Sequence, residues 1–168
     1  MTRDYAWRYN FKKGEEFMNK FMKMAINEAR KGIKAGHGGP FGAVIVKDGE
    51  VISKGHNHVV ANNDPTCHGE VDAIRKACKK LKTFDLTGCE IYTTGYPCPM
   101  CFCAILWANI GKVYYGCNTT DTEIIGFRDK EFEEGIPAKK IAMCEEVDRK
   151  NCLKLYEDYK NIQDKTMY

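Results

Sequence analysis

The run from Phe41 to Gly116 alternates in a way that few folds satisfy. Phe41–Val46 and Val51–His56 are β-rich runs separated by Asp48-Gly49, a strong hairpin-turn signal. A helical pattern follows over His68–Leu81, with Val71, Ile74, Ala77 and Cys78 on one face. Then come a strand at Glu90–Thr94, a helix at Cys98–Asn109 with proline suited to its first turn, and a strand at Lys112–Gly116. Helical crossovers make the later strands parallel. Upstream, Phe17, Phe21, Met24 or Ala25, and Ala29 or Ile33 give an amphipathic helix over Glu15–Ala35, stopped by Gly36. Downstream, Thr119–Glu134 reads as a short helix and a loop, Ile141–Val147 as a strand, and Asp148–Gln163 as a helix capped by Asp148. A hairpin followed by alternating strands and helices predicts an α/β fold, a three-layer α/β/α sandwich on a mixed five-stranded sheet.

The chain has 168 residues, which fits one domain over residues 1–168. Residues 1–14 form an N-terminal extension. Lys and Arg total 26 and Asp and Glu 23, a net charge of +3, too weak to point to nucleic acid. No apolar stretch approaches the roughly 20 residues of a membrane span. Met1–Phe17 lacks the apolar centre of a signal peptide. The expectation is a cytoplasmic protein whose nine cysteines are free thiols.

Two motifs fall where helices begin: His68-Gly69-Glu70 and Pro97-Cys98-Pro99-Met100-Cys101. One imidazole and two thiolates are a standard three-donor set for zinc, one ion per chain, with the fourth position open for water. A helix N-terminus favours the thiolate form. Glu70, two residues after His68, can take a proton from that water. Taken singly, the cysteine motif serves redox chemistry as readily as metal binding, and His-x-Glu at a helix start is usually a solvated cap. Together they form the signature of zinc-dependent base deaminases. Cys67 and Cys103 flank the ligands. A helix points Cys103 about 200° from Cys101, and both are expected to pack in the core or behind the ligands.

The chain resembles the cytidine deaminase-like superfamily from about Glu15 to its end, and within it the bacterial-type guanine deaminases. The resemblance is carried by Gly38–Val44, Asn63–Thr66, His68–Cys78, Tyr92–Thr94, Pro97–Cys101 and Gly126–Asp129. It implies that zinc-bound hydroxide attacks C2 of guanine, giving xanthine and ammonia, with Glu70 as catalytic proton shuttle. It implies that Asn57 hydrogen-bonds the base, Phe41 stacks on it and Asp129 pairs with its N1 and amino hydrogens. The backbone at Gly69 would hold the oxygen side. Trp107 and Tyr168 would complete the pocket, and the C-terminal segment from about residue 148 would be exchanged between subunits of a homodimer.

Each substrate residue also has a plainer reading: Phe41 and Trp107 as core, Asn57 as a turn residue, Asp129 as surface and Tyr168 as a frayed terminus. The chain departs from the usual pattern at Gly69, commonly Ala, and Tyr96, commonly Glu. Those departures leave cytosine and guanosine as alternative substrates. Deamination of tRNA adenosine, a non-catalytic zinc module and a thiol oxidoreductase stand behind them.

Overall fold

The computed structural model describes residues 19–133, 149–151 and 153. Helix α1, Lys20–Lys34, starts where Asn19 Oδ1 accepts from the Phe21 and Met22 amides at 2.9 and 3.2 Å. Among the described residues that cap sets the helix start, later than the Glu15 of the periodicity. Strands β1, Gly42–Lys47, and β2, Glu50–His56, form the expected hairpin. Asp48 and Gly49 take φ of +50° and +78°, the two left-handed residues that a tight hairpin turn of matching twist needs. A short helix α2, Val59–Asn62, follows, which the turn-rich sequence did not announce.

Helix α3, Gly69–Leu81, strand β3, Cys89–Gly95, helix α4, Pro99–Trp107, and strand β4, Lys112–Cys117, complete the alternating part. Two short helices close the described region, α5, Thr119–Ile124, and α6, Asp129–Glu133. The sheet order is β2-β1-β3-β4. β1 runs antiparallel to both its neighbours, and β3 and β4 are parallel. The sheet is thus mixed, with four strands among the described residues rather than five. The expected fifth strand, Ile141–Val147, lies outside the described residues, as do the Asp148 cap and most of the last helix. Residues 149–151 and 153 are helical.

Alternation along the strands sorts the core into two faces. Val44, Val46 and Tyr92 pack against Ala25 of α1, with Phe21 and Met24 around them. Ala43, Ile45 and Ile91 face the other way, onto Ala73 and Ala77 of α3, Ile105 of α4 and Ala108 just after it. Helices therefore cover both faces. Small residues set the spacing at the critical contact. A Cβ at Gly55 would lie 2.4 Å from the Ala73 amide nitrogen and 2.5 Å from the Gly69 carbonyl oxygen. Glycine there lets the first turn of α3 lie directly on β2, which fixes where that helix begins.

Candidate metal centre and pocket

Two helix starts converge at the ends of β1 and β3. His68 is the cap residue of α3, in extended conformation (φ −72°, ψ 161°). Cys98 is the cap residue of α4 with nearly the same dihedrals (φ −61°, ψ 163°), and Pro99 follows at the first helical position. Neither side chain caps its own helix. Both turn to each other instead: His68 Nδ1 lies 3.6 Å from Cys98 Sγ and 3.5 Å from Cys101 Sγ. Cys98 and Cys101 are buried.

These distances test the fit to zinc. An imidazole nitrogen at about 2.0–2.1 Å and a thiolate at about 2.3 Å from one tetrahedral ion stand roughly 3.6 Å apart. Both imidazole-to-sulfur edges therefore already have the right length. Their protonation also suits a cation. A hydrogen bond from Cys101, and then one with His68, pushes Cys98 down to about 4. The Cys98 hydrogen bond and burial push Cys101 up. A divalent ion would take the place of a thiol proton between the two sulfurs. Among the described residues the ligand group holds three donors and no fourth protein ligand. Cys67 is buried and accepts from Asn62 Nδ2 at 3.5 Å, outside that group. Cys103 is exposed, contrary to the expectation that it packs inside, because the outward face of α4 is open to solvent among the described residues.

Glu70, in the first turn of α3, is 5% exposed. Thr93 Oγ1 donates to its Oε1 at 3.2 Å, and Cys101 Sγ donates to its Oε2 at 3.5 Å. Burial pushes the Glu70 carboxyl above its usual range. Thr93 was not singled out from the sequence. The signal was present: Ile91, Thr93 and Gly95 share one face of β3, and a hydroxyl on that apolar face needs a partner.

His68, Cys98 and Glu70 line a cavity of about 350 Å³, with Cys101 fully buried outside its lining. Phe41, Asn57, Tyr96, Phe127 and Asp129 contribute to its wall. The Phe41 and Phe127 rings meet edge to face at 4.8 Å. Asn57 is buried, and its Oδ1 accepts from the Val59 amide at 3.1 Å. Asp129 opens α6. Burial first, then the negative Cys98, pushes its carboxyl upward. Tyr96 meets Tyr115 edge to face at 5.0 Å. Gly69 is buried beside the cavity, where a Cβ would lie 2.9 Å from the Phe41 carbonyl oxygen. Trp107 ends α4, 66% exposed and outside the cavity lining. Tyr168 lies outside the described residues. Val59, Val60 and Phe132 also line the cavity, and no motif or periodicity marks them.

The family described as the cytidine and deoxycytidylate deaminase zinc-binding region matches residues 15–117. The chain belongs to this family. It is a zinc-dependent deaminase, and His68, Cys98 and Cys101 supply a ligand set that fits the ion. A guanine deaminase of Bacillus subtilis (strain 168) is 43% identical, over 88% of this chain and 97% of the relative. The X-ray structure of the Bacillus subtilis guanine deaminase superposes with a TM-score of 0.82, at 43% identity, covering 90% of this chain and 99% of that one. A tRNA-specific adenosine deaminase of Aquifex aeolicus is 46% identical over 61% of this chain and 65% of its own length. Among the described residues no helix is long and apolar enough to cross a membrane.

Proposed function

We propose that this deaminase hydrolyses free guanine to xanthine and ammonia. The observation that carries the reaction is Glu70, buried against the His68, Cys98 and Cys101 donors at the floor of a cavity large enough for a base. Guanine is favoured over the other bases by the end-to-end match to a guanine deaminase, set against the partial match to tRNA deaminases.

Zinc held by His68, Cys98 and Cys101 supplies Lewis acidity that makes water a competent nucleophile at neutral pH. Glu70 takes the proton of the attacking water and returns it to a ring nitrogen, then to the departing amine. Its raised carboxyl suits both halves of that transfer, since it binds a proton readily and releases it in the next step. Thr93 holds Oε1 so that the other oxygen keeps one orientation. The planar base lies against Phe41 and Phe127. Asn57 bonds one edge of the base, and Asp129 pairs with its N1 and amino hydrogens. The Gly69 backbone holds the oxygen side. Water adds at C2, ammonia leaves, and the atoms balance as guanine plus water to xanthine plus ammonia.

The working unit in this reading is a cytoplasmic homodimer with exchanged C-terminal segments. The exposed Trp107 and the terminal Tyr168 then complete a neighbour's pocket. The test is ammonia release from zinc-loaded protein offered guanine, guanosine, cytosine or adenosine. Release from guanine alone is expected. Release only from cytosine, or only from adenosine within tRNA, overturns the substrate.

A further inference from the structure

Of the four histidines in the chain, only His68 belongs to the metal centre described above. The other three, His37, His56 and His58, stand together, with one ring nitrogen from each lying within 4.8 Å of the others. They come from three places: the loop after α1, the last residue of β2 and the cap of α2. The rings stack, His56 on His58 at 4.1 Å and His37 on His58 at 4.8 Å between centroids. We infer that His37, His56 and His58 form a second binding site for a divalent transition-metal ion, behind the wall of the substrate cavity.

The nitrogen atoms are placed for it. His37 Nδ1 and His56 Nε2 face each other at 2.9 Å. Two imidazole nitrogens on one tetrahedral ion stand roughly 3.3 Å apart, so a small ring rotation admits the ion. His56 Nδ1 is buried and makes no hydrogen bond, reaching only Glu28 Oε2 at 3.5 Å. A metal on Nε2 fixes the proton on Nδ1, facing that carboxylate, which is the usual carboxylate–histidine–metal arrangement. His58 Nε2 lies 3.6 Å from Asp72 Oδ2. Two carboxylates thus flank the trio, and each also pairs with a lysine, Glu28 with Lys31 and Asp72 with Lys76. Burial and the neighbouring His56 hold His58 below the usual imidazole range. Room for the cluster is built into the fold: a Cβ at Gly32 of α1 would lie 2.6 Å from His56 Cδ2. Imidazole sets of this kind take zinc, nickel or copper rather than calcium or magnesium.

The position gives the site a consequence. Gly38, Asn57 and Val59 line the substrate cavity, and each is the chain neighbour of one of the three histidines. An ion there ties the loop after α1 to the stretch from His56 to Val59, the two segments that form that wall.

The test counts metal in untagged protein equilibrated with excess Zn²⁺ and then dialysed. About two ions per chain are expected in the wild type and about one in His37→Asn and His58→Asn, with the His68, Cys98 and Cys101 set untouched. One ion in the wild type overturns the inference, and so does a second ion that persists in both variants. Co²⁺ titration of the wild type decides the matter if the variants fail to fold. The first equivalent brings thiolate-to-metal charge-transfer absorption, and the second is expected to add only ligand-field bands. A second equivalent that adds more thiolate absorption overturns the assignment.

Discussion

The floor and the rim of the substrate cavity are built by different means. At the floor, His68, Glu70, Cys98 and Cys101 belong to the first turns of two helices packed on the sheet, and Cys101 is fully buried. Their neighbours determine each orientation: Gly55 lets α3 lie on β2, and Thr93 holds Glu70. At the rim, Phe127, Arg128 and Asp129 sit on and before α6, a helix of five residues, and Phe127 and Arg128 are exposed. The floor therefore has the precision that bond-making needs. The rim is a short segment of largely exposed side chains outside the core clusters. In the proposed function, chemistry and selectivity are carried by separable parts, as they are wherever loops on a rigid scaffold choose the ligand.

That contrast predicts a ranking of effects. Cys101→Ala removes one of three ligands and is expected to abolish both bound zinc and turnover; a variant that keeps zinc by elemental analysis and still releases ammonia breaks the account of the floor. Glu70→Gln should lower kcat by about 10²–10⁴-fold while zinc content stays at the wild-type level. Its melting temperature should not fall, because the change removes a buried carboxylate.

Asp129→Asn tests the rim. Loss of a charged two-point contact should reduce kcat/KM for guanine by about 10–100-fold, with zinc unchanged. An equal loss for every base tried would remove Asp129 from selectivity. Thr93→Val sharpens the boundary between the two regions. It withdraws one hydrogen bond to a buried carboxylate, and kcat should fall by about tenfold with KM little altered. A change confined to KM would place Thr93 with the rim instead.

The parts of the fold that local chemistry dictates could be read directly. Asp48-Gly49 demands a tight hairpin, whatever surrounds it, and the alternation of apolar residues places β1, β3, α3 and α4 within a residue or two of their ends. The metal donors were legible for a related reason. A ligand set at two helix starts leaves a compact pattern, His-x-Glu and Cys-x-x-Cys, and each half is local. Phe41, Asn57 and Asp129 carry no such pattern, and only resemblance to a family singled them out. The helix α2 was missed because four residues cannot show a period. It is held by His37, whose carbonyl oxygen accepts from Val60 and Ala61, and by the His58 amide donating to Cys67.

The sequence by itself determined the order of β1 to β4 with α3 and α4, and the donors that fit zinc with Glu70 beside them, because turn residues, periodicity and short ligand motifs act over a few neighbouring positions. Tertiary structure alone decided which residues face which. It set Thr93 on Glu70, left Cys103 and Trp107 in the open, and brought His37 to His56 and His58. Those juxtapositions depend on the register of the hairpin and on how closely α1 and α3 approach the sheet, and no span of neighbouring residues encodes either.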